Sequence, residues 1–473
     1  MTSTNTAPAS DMNRTLGLFS ATAIVVGSMV GSGIFLVSPE TARYMGTETW
    51  MIWLWVLTGV ITLLGATSYG KLAAHMPEAG GQYVFLRECW GKIPAFLYGW
   101  VFFWVIQTGS MAAVSVAFAR YVGVLWPVIN TQAIATLPFG LPLTTEKLLA
   151  AGCLLFLTWF NTRGVEAAAK LQNIFTLLKV LALLVLIVIG FALGHHLWAG
   201  HVQLLNFATP TTQDIMANGL LPILAVAAVG PLFSSDAWCY VTFIGGEVKN
   251  PSVILPKALV LGAGVVVVLY VLANLAYLNV LPLHTIATAP DDKVAATMMT
   301  TLFGPLGGTL IAVMILVSTF GCLNGMIMSG ARVFYAMACD GLLFKPFAQL
   351  HPVTKTPNVS LWAQFGWGVL LAMSGSYSTL LAFIIFTALV FYVLTIGGLL
   401  KLAKTIPTEV CMTRWTDYLI PIGYIVGASV LSVLLLVAPQ TQQTSLIGAG
   451  FTLLGLPVFL IWQALASKQT QAA

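Results

Sequence analysis

Charged side chains are scarce in this sequence. Of its 473 residues only 7% are Asp, Glu, Lys or Arg, whereas 58% are hydrophobic. About a quarter of the residues in an ordinary soluble domain are charged, and its solubility depends on them. The scarcity of charge excludes such a domain. It predicts an all-α polytopic membrane protein, because apolar chains cross a bilayer mainly as helices.

Cysteine pairs and catalytic motifs are also missing. The six cysteines include no CxxC pair, and none falls in a predicted outer loop. We therefore expect no structural disulfide and no metal site. No Ser-His-Asp set, HExxH motif or nucleotide-binding glycine loop occurs on a water-facing segment, so we expect neither an enzyme nor a bound cofactor. The net charge of +5 reflects the cytoplasmic loops and requires no nucleic-acid partner.

Twelve apolar runs of about 20 residues predict twelve transmembrane helices. Most of the 20 Lys and Arg residues fall on the face that holds the N-terminus, and only Arg43, Lys147 and Lys293 fall on the opposite face. The positive-inside rule then places both termini in the cytoplasm. The polar segment 1–15 lacks the features of a cleaved signal peptide, so we expect the first span to be retained. The runs are 16–38, 50–72, 94–125, 147–161, 171–194, 218–245, 256–282, 305–337, 358–375, 378–400, 417–437 and 445–466.

The first span contains three glycines near its middle. Gly27, Gly31 and Gly33 alternate with Ser28 and Ser32 in the run AIVVGSMVGSGIFLVSP. Glycine and serine weaken a helix interior, so this span is predicted to break there. A half-helix that begins near Gly33 would point free N–H groups at the membrane midplane, where they can bind a carboxylate. The alternative is that the glycines form a packing face between unbroken helices.

The sixth span decides between these interpretations. It contains Gly230 and Pro231, followed by Phe233, Ser234, Ser235 and Asp236, and we expect the helix to resume at Ala237. Proline removes an amide and clashes with the preceding turn. Two mid-membrane breaks five spans apart indicate an inverted-repeat transporter with its site between the repeats. Asp236 is then either functional, as intramembrane acids usually are, or a cap of the second half-helix.

Two further polar groups lie inside predicted spans. Lys179 is about 13 Å deep in the fifth span, too deep to reach the interface easily, so it should have partners. Carbonyl groups of the broken first helix are the expected partners, and a water-filled vestibule is the alternative. In the third span Gln107 and Ser110 share a helical face, either as a pocket wall or as a contact between helices.

With these residues assembled, the chain resembles the amino acid, polyamine and organocation transporter superfamily, most closely its L-type amino acid transporter branch. The resemblance covers nearly the whole chain in the expected order. The matching segments are GSMVGSGIF, PEAGGQY, IFTLLKVLAL, LFSSDAW, GEVKNP, STFGCLNGMIMSGARVFYAMACDG and LHPVTKTP.

The resemblance implies a fold of five plus five helices in inverted repeat, with two additional peripheral helices. The single permease domain 1–473 would comprise a tail at 1–15, a first repeat at 16–194, a second at 218–400, and helices 11 and 12 at 417–466. Helices 1 and 6 would be broken at mid-membrane. The implied activity is sodium-independent transport of amino acids.

The resemblance also implies roles for individual residues. Amides around Ser32, Gly33 and Ile34 would bind the substrate carboxylate, and carbonyls of Phe233, Ser234 and Asp236 would bind its ammonium group. Phe233 would be the outer gate, and Lys179 would occupy the place of sodium in sodium-coupled relatives. The full expected site comprises Ser28, Met29, Gly31, Ser32, Gly33, Ile34, Gln107, Phe233, Ser234 and Asp236, with Lys179 as the ion substitute.

We therefore expect a multi-pass protein of the cell membrane that carries neutral L-amino acids by alternating access, through exchange or proton coupling. Its partners would be the amino acid and membrane lipid. The outer loop between helices 3 and 4 has no cysteine for a link to a heavy subunit, so no such subunit is expected. Asp236 stands where several eukaryotic members have glycine, which leaves a cationic amino acid or polyamine carrier as the alternative. A membrane sensor or channel is a remote one.

Overall fold

A computed structural model describes residues 14–136, 142–197, 199–200, 202–374 and 377–471. Of the polar segment 1–15, only the last two residues lie within these ranges. The described chain is almost entirely helical. In it, nine helices are long and apolar enough to cross a membrane. They are helix 1 (Leu18–Met29 and Gly33–Leu36), helix 2 (Glu48–His75), helix 3 (Lys92–Val101, Phe102–Gln107 and Thr108–Leu125), helix 5 (Val165–Leu193), helix 7 (Pro251–Val280), helix 8 (Pro305–Cys339), helix 10 (Tyr377–Ala403), helix 11 (Leu419–Val437) and helix 12 (Pro439–Gln471).

Three shorter helices stand at the positions of the remaining predicted spans. They are helix 4 (Thr145–Asn161), helix 6 (Leu220–Ser234 and Tyr240–Phe243) and helix 9 (Asn358–Ser374). The protein is therefore an all-helical polytopic membrane protein, as the composition predicts.

Short elements connect these helices. A hairpin of two antiparallel strands, Ala133–Thr136 and Pro142–Thr144, lies between helices 3 and 4 and was not expected from the sequence. The short helices are Ser38–Met45, Gln82–Trp90, Gln213–Asn218, Leu283–Ala287 and Val294–Phe303. Single 3₁₀ turns occur at Gly245–Glu247, Pro290–Asp292, Lys345–Ala348 and Trp415–Tyr418.

Helix 1 breaks where the glycines and serines predict. Its first half ends at Met29, Val30 is extended, and the second half begins at Gly33. We call the halves helix 1a (Leu18–Met29) and helix 1b (Gly33–Leu36).

Helix 6 also breaks, but not where the sequence indicated. Helix 6a (Leu220–Ser234) continues through Pro231, and helix 6b (Tyr240–Phe243) begins at Tyr240. The expected restart at Ala237 is wrong, because Ala237 adopts a positive φ of 66°, a left-handed conformation that cannot continue a helix. Pro231 lies in the helix 6a interior without ending it.

The two broken helices lie inside the bundle. Helix 1 packs against helices 5, 7 and 8, and helix 6a packs against helices 2, 10 and 11. By contrast, only 28% and 22% of the apolar windows of helices 11 and 12 are buried, which agrees with their predicted peripheral position. Large apolar side chains cover the exposed faces of these two helices, as expected for surfaces that meet hydrocarbon.

Candidate functional site

The two breaks meet at one small cavity. Helices 3 and 8 complete its wall, and its volume of about 20 Å³ has room for about one water molecule. The structure thus brings together eight of the residues expected from the sequence. The cavity is lined by Ser28, Met29, Gly31, Ser32, Gly33, Phe233, Ser234 and Asp236 from the breaks, and by Ser110, Val114, Ala237, Cys322 and Met326.

Helices 1b and 6a approach each other closely at this cavity. A Cβ atom built on Gly33 would overlap with the side chain of Ser234 and would lie 3.0 Å from its Cα atom. Only glycine fits this contact without a shift of the backbone. The third glycine of the motif is therefore required by the approach of helix 6a as well as by the break itself.

The carbonyl groups released by the break in helix 1 all have side-chain donors. Lys179 donates to Gly27 and Val30, and the Ser318 hydroxyl contacts the carbonyls of Val30 and Gly31 at 3.1 and 3.3 Å. Two further donors complete the set: the Cys322 thiol contacts the Ser28 carbonyl, and the Tyr270 hydroxyl contacts that of Met29. Five consecutive acceptors, from residue 27 to residue 31, are thus satisfied by helices 5, 7 and 8.

The amide groups on the other side of the break differ from these carbonyl groups in their hydrogen bonding. Gly33 and Ile34 begin helix 1b, and the first amides of a helix have no acceptor within it. The adjacent carbonyl of Ile34 accepts from the Tyr277 hydroxyl at 3.3 Å, which fixes this half-helix. An N-terminal turn with open amides beside a cavity can bind an anionic group.

Lys179 is one of the most buried charged groups of the structure. Its side chain is 1% exposed, and its Nζ lies 2.7 Å from the Gly27 carbonyl, 2.8 Å from that of Val30 and 3.0 Å from that of Ser318. These three contacts use all three donors of an ammonium group. The expected partners in the broken first helix are confirmed, and a carbonyl of helix 8 is added to them.

Asp236 lies at the break of helix 6, between two cavities. One is the cavity described above, and the other extends toward helices 2, 10 and 11. Its carboxylate accepts a hydrogen bond of 2.6 Å from the hydroxyl of Tyr392, which lies on helix 10. The same hydroxyl is 3.5 Å from the thiol of Cys239. Asp236 therefore has a neutral partner here, and it takes part in no ion pair within the part of the chain that the structure describes.

Two expected site residues do not line the cavity. Gln107 is fully buried and donates to the Met326 carbonyl at 2.8 Å and to the Gln364 side chain at 3.2 Å. It ends a π-helical segment, and Ser110, three residues further along helix 3, faces the cavity instead. Ile34 contributes only backbone near the site. The interpretation of Gln107 as a contact between helices agrees with these partners.

Sequence reasoning missed several wall residues. Val114 and Met326 are ordinary apolar side chains with no distinguishing signal. Cys322 lies on helix 8 among small and polar residues, with Gly321 before it and Asn324 and Gly325 shortly after it. Tyr270 and Tyr392 sit in uninterrupted apolar runs, and only their buried hydroxyls show that they contact the breaks.

The start of helix 1 and the segment after helix 6b are tied together on one side of the site. The amides of Thr15 and Leu16 donate to the Glu247 carbonyl at 3.0 Å each. The Glu247 carboxylate forms a buried ion pair of 3.0 Å with Arg332 on helix 8. The end of helix 8 is held by a second group, in which the Asp340 carboxylate accepts from Tyr83.

An ion pair stabilises the contacts of Asp340. Arg87 contacts the same carboxylate of Asp340 at 2.6 Å. Burial and the adjoining Asp340 carboxylate raise the pKa of Tyr83 above its usual range, so its hydroxyl stays protonated and donates. Together these contacts link the segments before helix 1, after helix 6b and before helix 3 to helix 8.

Comparison with known proteins identifies the family. Residues 16–461 match the family described as amino acid permease. A serine/threonine exchanger of Bacillus subtilis is 29% identical over 397 residues, 83% of this chain and 84% of that protein. The large neutral amino acids transporter small subunit 2 of Homo sapiens is 29% identical over 96% of this chain and 81% of its own. The Asc-type amino acid transporter 1 of Mus musculus is 28% identical over 95% of this chain and 81% of its own. The chain therefore belongs to the amino acid permease family, in the L-type-like part of the amino acid, polyamine and organocation superfamily, and is a transporter rather than an enzyme.

Proposed function

We propose that this protein carries neutral L-amino acids across the cell membrane without sodium, by alternating access. The supporting observation is that the ends of two interrupted helices converge on one cavity at the centre of the bundle. The relatives named for serine, threonine and large neutral amino acids favour the same substrate class. Such a cavity suits a zwitterion, because it offers open amides on one side and carbonyl ends on the other.

In this proposal the amides of Ser32, Gly33 and Ile34 hold the substrate carboxylate. The carbonyls of Phe233, Ser234 and Asp236, at the end of helix 6a, hold the ammonium group. The Ser234 carbonyl accepts from Tyr270 at 3.1 Å and that of Phe233 from the Asp236 amide at 3.1 Å. Each carbonyl oxygen has a second lone pair, so these contacts leave it able to accept from an ammonium group.

The cavity in this conformation is smaller than any amino acid, so binding requires movement around it. Phe233 is half-buried on its wall, and we assign it the role of the outer gate. The contacts of Glu247 and Asp340 close the cytoplasmic side. Loading would displace Phe233, and release would separate Glu247 from Arg332.

The proposal assigns sodium independence to Lys179. Its ammonium group joins carbonyls of helices 1 and 8 that would otherwise require an added cation. Purified protein in liposomes, loaded with unlabelled amino acids and supplied with labelled alanine or serine, tests this directly. We expect counterflow to be equal in sodium and in choline buffers, and strictly sodium-dependent uptake would refute the proposal. A pH gradient in the same vesicles distinguishes exchange from proton coupling.

A substitution at Gly33 tests the shape of the site. The added methyl group of Gly33→Ala would press on the Ser234 backbone, which cannot rotate away. We expect labelled amino acid uptake to fall about tenfold or more, because overpacking typically costs 1–3 kcal/mol. Gly366→Ala is the matched control, since its Cβ atom meets open space. Equal uptake by Gly33→Ala and wild type would contradict the proposed contact.

The alternative substrate class is favoured by Asp236. Its carboxylate borders the cavity and has a neutral hydroxyl as its partner, so a cationic side chain of lysine, arginine or a polyamine would complement it. Under our proposal, arginine in excess leaves alanine uptake unchanged in wild type and in Asp236→Asn alike. Competition by arginine that disappears in Asp236→Asn would establish the cationic alternative.

The proposed topology has twelve transmembrane helices, a five-plus-five inverted repeat, and both termini in the cytoplasm. The positive-inside bias of the sequence and the three shorter helices 4, 6 and 9 support it. Labelling of single cysteines placed at Lys147 and Lys404 by a membrane-impermeant reagent tests the orientation. We expect only the first to react from outside intact cells.

We also propose that the carrier works without a heavy subunit. Some relatives have names that describe them as small subunits. The outer loop between helices 3 and 4 has no cysteine in this sequence, which removes a covalent attachment point. Transport by the purified chain alone in the liposome assay would support the proposal that no heavy subunit is required.

A further inference from the structure

Tyr270 contacts both broken helices through a single hydroxyl group. It lies on helix 7 and is 1% exposed. Its hydroxyl oxygen is 3.0 Å from the carbonyl of Met29, the last residue of helix 1a, and 3.1 Å from that of Ser234, the last residue of helix 6a. This one hydroxyl therefore joins the ends of both half-helices.

These two carbonyls are the groups that most need a donor. The last carbonyls of a helix have no donor within it and form the negative end of its dipole. Two such ends face each other across the hydroxyl, inside a bundle where water is restricted. A carbonyl without a donor is costly in such surroundings.

The position of Tyr270 is fixed by the packing of helix 7. Its ring meets Trp55 of helix 2 edge-on, with 5.7 Å between ring centroids. One turn further on, Asn274 donates to the Tyr270 carbonyl and accepts from the Ser38 hydroxyl beyond helix 1b. Helix 7 packs along helices 1 and 2, so the hydroxyl stays with the breaks.

The proposed substrate would bring its own donors to this region. An ammonium group carries three N–H bonds, and in the loaded carrier these can satisfy the end of helix 6a. In the empty carrier, the one O–H of Tyr270 is within reach of both ends, so its single proton is shared between the two carbonyls. Loss of the Tyr270 hydroxyl should therefore destabilise the empty carrier more than the loaded carrier.

We propose that Tyr270 is a positioning residue whose single O–H, shared between the facing ends of helices 1a and 6a, stabilises those ends in the empty carrier and so allows it to reorient without substrate. Net transport requires this empty return step, whereas exchange proceeds through loaded forms only. The inference rests on the proposed transport function. It predicts that the Tyr270 hydroxyl determines the ratio of net flux to exchange.

The test compares Tyr270→Phe with wild type in liposomes loaded with labelled alanine. Net efflux is measured into buffer without substrate, and exchange into buffer with unlabelled alanine. For Tyr270→Phe we expect net efflux about tenfold lower, the loss that corresponds to about 1.4 kcal/mol, within the range for one missing hydrogen-bond donor. Exchange should stay within about twofold of wild type.

Tyr277→Phe is the matched control, because its hydroxyl on the same helix contacts only the Ile34 carbonyl at 3.3 Å. We expect its flux ratio to equal that of wild type. An equal fall of net efflux and exchange in Tyr270→Phe would mean a purely structural role and would overturn the inference. An unchanged ratio, or a wild type that exchanges but shows no net efflux, would overturn it as well.

If Tyr270→Phe fails to fold, a second variant tests the inference. Trifluorotyrosine incorporated at position 270 keeps the ring and strengthens the hydroxyl as a donor. We expect it to raise the ratio of net efflux to exchange, and an unchanged or lower ratio would count against the inference. A wild type that carries no amino acid in either assay refutes the proposed function itself, which distinguishes the two failures.

Discussion

Lys179→Ala is expected to abolish transport while the protein still reaches the membrane. The change removes three hydrogen bonds from a charged donor to the carbonyls of Gly27, Val30 and Ser318. Hydrogen bonds to charged groups contribute about 1.5–3 kcal/mol each. Loss of even two of them corresponds to a fall of a hundredfold or more in rate. Counterflow of labelled alanine in liposomes, normalised to the amount of reconstituted protein, measures the effect.

The matched control lies on the same helix. Lys170→Ala removes an exposed lysine nine residues earlier, and we expect it to retain most of the activity. Lys179→Gln keeps a neutral donor of two N–H bonds, so it should fall between wild type and Lys179→Ala. Wild-type counterflow by Lys179→Ala would exclude a role for the ammonium group in holding helix 1 against helix 8.

Lys179→Ala should lower the rate of transport more than the stability of the fold. Helix 1 keeps its extensive packing against helix 7 when Lys179 is removed. The Ser318 hydroxyl still contacts Val30 and Gly31. What changes is the link from helices 5 and 8 to the break, which sets the geometry of the open amides at Gly33 and Ile34.

The sequence predicted those parts of the site that depend on unusual residues at unusual depth. Gly33 as the start of a half-helix and Lys179 as a partner of the broken helix both follow from the cost of polar backbone or charge in hydrocarbon. This free-energy cost is larger than the secondary-structure preferences of the individual residues, so few conformations of such a segment avoid it. A sequence pattern can therefore reveal it without any tertiary information.

The remaining parts depend on tertiary contacts that leave no local signal. Tyr270 and Tyr392 lie in apolar runs, and their role follows only from what faces their hydroxyls. Pro231 indicated a break, but helix 6a continues through it. The backbone instead leaves the helical conformation later, and Ala237 has a positive φ. Gln107 and Ser110 share a helical face, but Ser110 lines the cavity, whereas the Gln107 side chain contacts Met326 and Gln364.

Arg332→Leu is expected to destabilise the protein strongly. Arg332 and Glu247 are 1% and 2% exposed and form a bidentate contact of 3.0 and 3.4 Å. Removing one partner of a buried ion pair leaves an uncompensated charge and typically costs about 3–5 kcal/mol. The temperature at which the detergent-solubilised protein aggregates, measured by size-exclusion chromatography after heating, should fall by many degrees. Arg43→Leu is the control, because both side chains of its ion pair with Asp292 are 45% exposed, and it should shift this temperature little.

The double variant Arg332→Leu/Glu247→Leu separates stability from transport. Replacing both charges of a buried pair by apolar side chains is often neutral or stabilising, so the unfolding temperature should recover. Transport should not recover, because Glu247 also lines a cavity of about 450 Å³ on the side that we propose is cytoplasmic, and water can reach it when that side opens. An ion pair that separates into water regains hydration on both charges, whereas two leucines would expose apolar surface. The apolar pair would therefore keep this side of the carrier closed, and recovery of both stability and wild-type transport would show that this contact does not open during the cycle.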